Sequence, residues 1–432
     1  MDSIWQQNDM RPSFPKLEGA ISTDVLVIGG GVTGILCTYF LRQRGVDCIL
    51  VEADRICNGV TKATTAKISG QHGLIYQRLI RQFGEEKAGL YLRAQQAALE
   101  QYRTIARKVD CDFEEQDSFI YSVNDRKILE NEADALYKIG YQADIVEKTP
   151  LPFSVAGAIR MIGQAQFHPL KFIFHIAKGL PIFEYSKIRE LRPDGARTDH
   201  ATIQARKIIV ATHFPFLNKH GLYFLKLYQH RSYVLALKDA PDLKGMYLEA
   251  ESNGLSFRNY RDCLLLGGGG HRTGKKGGGW HTLSDFAGRY YPAAQVIGQW
   301  ATQDCMTLDG VPYIGAYSAH TPNLYVATGF NKWGMTSSMV AAMLLCDLVQ
   351  EKKNEYESLF SPSRSLLRPQ LAINAAEAMI GLLTPTVPRC PHMGCALHYN
   401  KEEHSWDCSC HGSRFAKNGT LLDNPATDDR KR

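Results

Sequence analysis

The sequence has no long hydrophobic run, no block of one charge and no internal repeat. The first absence argues against a transmembrane span, which needs about 18 consecutive apolar residues. The longest apolar helix candidate, Met339 to Val349, is interrupted by Asp347. The opening residues MDSIWQQNDMRPSFPKLEG lack the charged start, apolar stretch and small-residue site of a cleaved signal. A cytoplasmic protein is therefore expected. The net charge is only +6 and is spread along the chain, so no nucleic-acid partner is expected. Cysteine is unevenly placed rather than scarce. Of eleven, seven (Cys37, Cys48, Cys57, Cys111, Cys263, Cys305 and Cys346) are scattered, and four fall within residues 390–410. Scattered cysteines in a cytosolic chain are ordinarily reduced and buried, whereas a tight group suggests a metal.

The 432 residues suggest two or three domains at about 150 residues each. The N-terminal third alternates strand and helix. DVLVIG at 24–29 is a short apolar strand, residues 32–44 have helical spacing, and DCILV at 47–51 is a second strand ending in Glu52. This is a βαβ unit. Residues 73–110 read as helix. From about 111 to 300, short apolar runs between turn residues predict an antiparallel sheet. The glycine-rich GGGGHRTGKKGGG at 267–279 reads as a turn or mobile loop. A polar link, 351–369, and a helix candidate near 370–383 precede a small C-terminal module.

GGGVTG at 29–34 fits G-x-G-x-x-G, and its context fits a dinucleotide site. Gly29 allows the tight turn, Gly31 lets the backbone approach a pyrophosphate, and Gly34 lets the helix pack on the strand. The helix N-terminus offers free N–H groups to phosphate. Glu52, 18 residues past Gly34, is placed to bind ribose hydroxyls. The pattern alone does not separate FAD from NAD. A second nucleotide-site element near the end, ATGFNKWG at 327–334, favours FAD, because a long cofactor can be held from both ends of the sequence.

Residues 20–350 resemble flavoproteins of the D-amino-acid oxidase family, which includes glycine and sarcosine oxidases. The resemblance rests on GGGVTG, on VEADRICNG at 51–59, TTAKISGQHG at 64–73, DGVPYIG at 309–315 and ATGFNKWGM at 327–335. It implies that Thr64, Thr65 and Lys67 lie beside the flavin or its pyrophosphate, and that Gly329 and Gly334 flank the ring and ribityl chain. Thr64 and Thr65 also read as a helix N-cap pair. The family often carries a carboxylate-binding arginine just before DGVPYIG. Here that stretch is WATQDCMTL at 300–308, with Gln303 and no arginine, and Arg231, Arg258 or Arg261 are the candidates to replace it. Cys305 is expected as a buried thiol. His271 reads either as a cavity residue or as a surface loop histidine.

Cys390-Pro-His392 and Cys408-Ser-Cys410-His411 are C-x-H and C-x-x-H, with 15 residues between them. Two thiolates and two imidazoles suit one [2Fe–2S] centre, and the same four ligands suit zinc. The runs CPHMGC at 390–395 and CSCHGSRF at 408–415 resemble Rieske proteins. Cys395 and Cys410, one in each loop, are expected to form a disulfide that clamps the loops. Gly394 and Gly412 allow the turns, and Ser413 can donate to a cluster sulfur. Phe415 stands where high-potential members often carry tyrosine, so a lower potential is expected. Ser409 replaces a common proline, and His398 and His404 are expected on the surface.

The expected architecture is α/β plus a small all-β unit. A Rossmann-like FAD-binding part (about 20–110, 200–215 and 300–350) is interleaved with an antiparallel-sheet substrate part (111–200 and 216–300). A linker and helix (351–383) lead to a Rieske β domain (384–432). The expected activity is an FAD-dependent dehydrogenation of an amine or amino-acid C–N bond. Electrons would pass through the cluster to an acceptor, or come from a donor, that is a protein or a quinone. No catalytic base is readable, and a non-catalytic electron carrier or redox sensor is the alternative.

Overall fold

The computed structural model describes residues 3–7, 11–217, 220–251, 254–385 and 388–430. Strand Gly19–Ile28, helix Val32–Gln43 and strand Cys48–Val51 form the expected βαβ unit, with Ile28 level with Val51. Strands Ala201–Val210 and Leu324–Thr328 continue the sheet in parallel, and Ile182–Phe183 extends its other edge. Val25 to Ile28 and Cys48 to Val51 are all buried, as suits strands covered on both faces. Because the strands are parallel and in register, their carboxyl ends converge on one edge. That edge gathers the segments after Ile28, Val51, Val210 and Thr328, where doubly wound sheets bind ligands.

A second, nine-stranded sheet runs from Gln295–Thr307 through Leu227–Lys238, Cys263–Arg272, Ser256–Tyr260 and Met246–Glu249 to Glu114–Ser122 and Gly157–Gln166. It is antiparallel except where Met246–Glu249 meets Glu114–Ser122. The C-terminal module is a four-stranded antiparallel sheet, Leu397–Asn400, Ser405–Cys408, Arg414–Ala416 and Leu421–Asp423. It has its own small core of Cys390, Cys395, Leu397, Cys408, Cys410, Phe415 and Ala426. The fold class is thus α/β with a small all-β unit.

Two local readings change. The helical run 73–110 is two helices, Tyr76–Phe83 and Glu85–Ala106. Gly84, at φ +84°, ends the first and starts the second. The glycine run is not a loop throughout. Residues 267–272 belong to strand Cys263–Arg272, and helix Gly279–Tyr290 starts at its far end. A side chain at Gly267 would sit 2.6 Å from Ser256 Oγ, and one at Gly269 would sit 2.2 Å from Gly279 O. The glycines there serve close approach in a packed sheet.

Candidate functional site

A cavity of about 940 Å³ opens where the parallel strands end. Gly29, Gly31 and Glu52 line one part, Thr64, Thr65 and Lys67 another, and Gly329 and Gly334 a third. The sequence candidates for the dinucleotide therefore meet in one space, except Gly34. Gly34 lies behind the wall, where a Cβ would stand 1.9 Å from Gly29 O. Gly29 has φ +110°, and a Cβ on it would reach within 2.6 Å of Ala211 O. A Cβ on Gly31 would meet nothing nearer than Thr61 Oγ1 at 3.4 Å, so its backbone lies open to the cavity. Gly31 N-caps helix Val32–Gln43 and points the helix N-terminus into that space. Glu52 accepts from Gly30 N–H (2.6 Å) and Asp54 N–H (2.9 Å). Burial pushes its carboxyl above the usual range, and those N–H groups oppose the push.

Thr64 and Thr65 N-cap no helix. The segment ahead of them is a short 3-10 turn, and Lys67–Ile68 after them is a strand. Arg258 fixes this segment. It is fully buried, and its Nη1 donates to Thr65 O (2.6 Å) and Ala66 O (2.9 Å). Lys67 Nζ donates to Tyr247 O at 2.9 Å. Burial, aided by Arg258, pulls Lys67 down to about 7.

None of the three candidate arginines lines the cavity. Arg258 holds backbone, and Arg261 is paired on the surface with Asp112 at 3.3 Å. Arg231 is buried against Glu403, with Nε donating to Oε1 at 2.9 Å. Besides Glu52 and Lys67, the cavity presents charged groups that were not singled out in the sequence. Asp304 and Lys332 both face it. Burial raises Asp304 to about 6 despite Lys332, and burial lowers Lys332 despite Asp304. Asp304 lies in the very stretch searched for an arginine. His213 also lines the cavity, at φ +66°, and its Nε2 has no partner among the described residues. Cys305 is buried, as expected, and burial pushes its thiol up to about 12. His271 fits neither reading. It is buried on a strand, outside the cavity lining, with Nε2 2.9 Å from the Tyr233 hydroxyl and Nδ1 2.9 Å from Arg272 O.

The C-terminal quartet forms a second site. Two loops, 390–395 and 408–413, fold alike. Gly394 N–H reaches Cys390 O (2.9 Å) and Cys390 N–H reaches Cys395 O (2.8 Å). Gly412 N–H reaches Cys408 O (2.9 Å) and Cys408 N–H reaches Ser413 O (2.9 Å). Gly394 and Gly412 have φ +77° and +88°, a backbone that suits glycine. Cys395 and Cys410 form a disulfide across the loops, with Cα atoms 6.7 Å apart. The Cys390 and Cys408 thiols lie within hydrogen-bonding reach of each other, and the Ser413 hydroxyl reaches Cys390. The His392 and His411 rings stand edge to face, 5.0 Å apart. Burial lowers the two imidazoles to about 4 and about 3, leaving them neutral, the form that ligates metal. His411 Nδ1 is buried with no hydrogen-bond partner among the described residues. Two thiols, two neutral imidazoles and an orphaned ring nitrogen fit a two-iron centre. His398 and His404 are exposed.

The two sites share a wall. Strands Leu227–Lys238, Cys263–Arg272 and Gln295–Thr307 hold the second loop by its backbone. Arg272 donates to Ser409 O (3.0 Å) and Cys410 O (3.3 Å), Gln229 to His411 O (2.9 Å), and Gln303 to Gly412 O (2.9 Å). Gln303 Nε2 also donates to Gln229 Oε1 (2.8 Å), and the His213 ring lies against both glutamines. Asn424 Nδ2 donates to Thr212 O (2.7 Å) and Phe214 O (3.1 Å). The Phe214 ring is 6.4 Å from both cluster-site histidine rings, and Thr212 and His213 line the cavity. Ser409 is thus a fixed, buried contact.

The pattern of the FAD dependent oxidoreductase family matches residues 24–348, and that of the Rieske [2Fe-2S] domain matches residues 371–431. The chain belongs to the FAD dependent oxidoreductases and carries a C-terminal Rieske domain. It is an FAD-dependent oxidoreductase, its cofactors are FAD and a [2Fe–2S] cluster, and the zinc reading falls. The putative Rieske 2Fe-2S iron-sulfur protein YhfW of Bacillus subtilis is 36% identical, over 98% of this chain and 96% of its own length. Gamma-glutamylputrescine oxidoreductase of Escherichia coli is 22% identical, over 84% of this chain and 93% of its own. Glycine oxidase from Geobacillus kaustophilus superposes with a TM-score of 0.65 at 20% identity, covering 80% of this chain and 99% of that one. No helix among the described residues is long and apolar enough to cross a membrane.

Proposed function

We propose that the chain dehydrogenates the C–N bond of a small amine or amino acid and sends the electrons through the Rieske centre to an external acceptor. The observation that carries this reading is the shared wall, in which the backbone carbonyls of Ser409, Cys410, His411 and Gly412 are all held by side chains from strands beside the flavin cavity. FAD, when bound, supplies hydride acceptance and can release the pair one electron at a time.

In this reading the N–H groups at residues 29–34 hold the pyrophosphate, and Glu52 holds the ribose. Thr64, Thr65, Lys67, Gly329 and Gly334 line the remainder. Cys390, His392, Cys408 and His411 hold the cluster. Asp304, ionised above about pH 6, receives the substrate ammonium and Lys332 balances its charge. The engagement of Arg231, Arg258 and Arg261 elsewhere supports an amine head group as the recognised feature. Seven buried thiols outside the cluster site support the cytoplasm as its compartment. The division into an oxidase unit (20–350), a connecting segment (351–383) and a cluster module (384–432) belongs to the same proposal.

The test is anaerobic mixing of the holoprotein with a panel of amines and amino acids. At least one is expected to bleach the flavin absorbance, followed by the electron paramagnetic resonance signal of a reduced Rieske centre. A chain whose cluster titrates readily while no compound bleaches the flavin is an electron carrier, and that result overturns the proposal.

A further inference from the structure

Helix Pro369–Leu383, PQLAINAAEAMIGLL, carries a single charge, Glu377, yet among its 15 residues only Asn374 and Gly381 are buried. Its polar and small side faces inward. Asn374 Oδ1 accepts from Arg272 Nη1 (3.0 Å), and Asn374 Nδ2 donates to Leu225 O (3.3 Å). Gly381 abuts the disulfide, where a Cβ would lie 2.7 Å from Cys410 Sγ. The apolar side faces out. Ile373 is 52% exposed, Met379 61%, Ile380 57%, Leu382 51% and Leu383 76%. The patch continues onto the first cluster loop, since Leu382 approaches Gly394 and Met393, beside His392, is 41% exposed. A contiguous apolar patch of this kind marks an interaction surface.

The surrounding charge selects the occupant. Glu377 is already neutralised by Lys275 at 2.6 Å, and Lys276 beside it is exposed. Arg368 precedes the helix, and Arg389 after it donates to the carbonyls of Gly381, Leu382, Thr384 and Gly394. Beyond the Lys275–Glu377 pair, the charged residues placed here, Lys276, Arg368 and Arg389, are all cationic. The face itself is aliphatic, without the aromatic anchors typical of protein interfaces. At 15 residues the helix spans about 22 Å, too short to cross a bilayer and suited to lying in its surface.

We propose that this face seats in the interfacial region of an anionic membrane and brings the His392 side of the cluster to the lipid. The proposal stands independently of the substrate reading, because it concerns binding and not turnover. The test is sedimentation of the full-length holoprotein with vesicles of phosphatidylcholine, with and without phosphatidylglycerol. Binding to the anionic vesicles is expected, weaker in high salt and weaker on phosphatidylcholine alone. The double variant Ile380→Asp, Leu383→Asp should bind at least about tenfold more weakly, with flavin and cluster absorbance unchanged because both side chains are exposed. Lys276→Ala should weaken binding only to anionic vesicles. No binding by the parent chain, or equal binding by the double variant, overturns the proposal. A dimer that the double variant dissociates also overturns it, since a second copy would then cover the face.

Discussion

Loops 390–395 and 408–413 close with the same two backbone hydrogen bonds and the same left-handed glycine, yet their surroundings are opposite. Every carbonyl from Ser409 to Gly412 is taken by Arg272, Gln229 or Gln303. In the other loop Pro391, Met393 and Gly394 are exposed. A shared loop geometry thus holds His411 in a loop pinned to the nine-stranded sheet and leaves His392 in a loop flanked by exposed residues. The 408–413 loop is the module's inward contact, and the 390–395 loop is its outward face.

The largest effects are expected at the two thiolates. Cys408→Ser should abolish the cluster and its electron paramagnetic resonance signal while the flavin spectrum remains. Cys390→Ser should do the same, because both loops supply one thiolate. The next largest effect should separate the loops. Gln303→Leu leaves the buried Gly412 carbonyl unpaired, at a cost of about 1–3 kcal/mol. It should slow cluster reduction after flavin photoreduction without lowering iron content, whereas Met393→Ala should leave that rate alone. Equal slowing by both variants would remove the distinction between inward and outward loops.

A smaller effect is expected at Asp304, on the cavity side of the strand whose other face pins Gly412. Its carboxyl titrates at about 6 when folded and near 4 when unfolded, so folding tightens its hold on the proton. The neutral acid is tolerated at pH 4, and stability is lost as pH rises through about 6. Asp304→Asn should therefore raise the melting temperature at pH 7.5 and leave it unchanged at pH 4, measured on the flavin-free chain. An equal gain at both values would show that ionisation is not the cause. The smallest effect concerns potential. Phe415 is fully buried in the cluster module. Phe415→Tyr, by adding one hydrogen bond to the cluster, should raise its potential by about 20–60 mV in a redox titration.

The sequence made the quartet and the βαβ unit legible because each is written in local spacing. Cys390, His392, Cys408 and His411 fall within two short loops, and Gly29, Gly31 and Gly34 follow a strand directly. The shared wall was not legible. Gln229, Arg272 and Gln303 lie at least 109 positions before the carbonyls they hold, and nothing about a glutamine announces a backbone acceptor so far away. The only trace was negative, the missing arginine before DGVPYIG, with Gln303 and Asp304 in the vacated stretch. Residues 267–272 misled for a related reason. Glycine reads locally as a turn, while here it admits Ser256 and helix Gly279–Tyr290 into contact. The break at Gly84 was visible as a residue but not as a helix end, since the apolar spacing continues across it.

The C-terminal strand and tail, residues 421–429, contribute to the wall of the flavin cavity, and Lys187 and Arg189 reach Asp428 at 3.6 and 3.5 Å. The cavity is therefore not complete until residues 421–429 have docked. Before they dock, that side of the flavin site is open. A variant in which this segment cannot dock should therefore retain its flavin poorly, measured as flavin content after gel filtration.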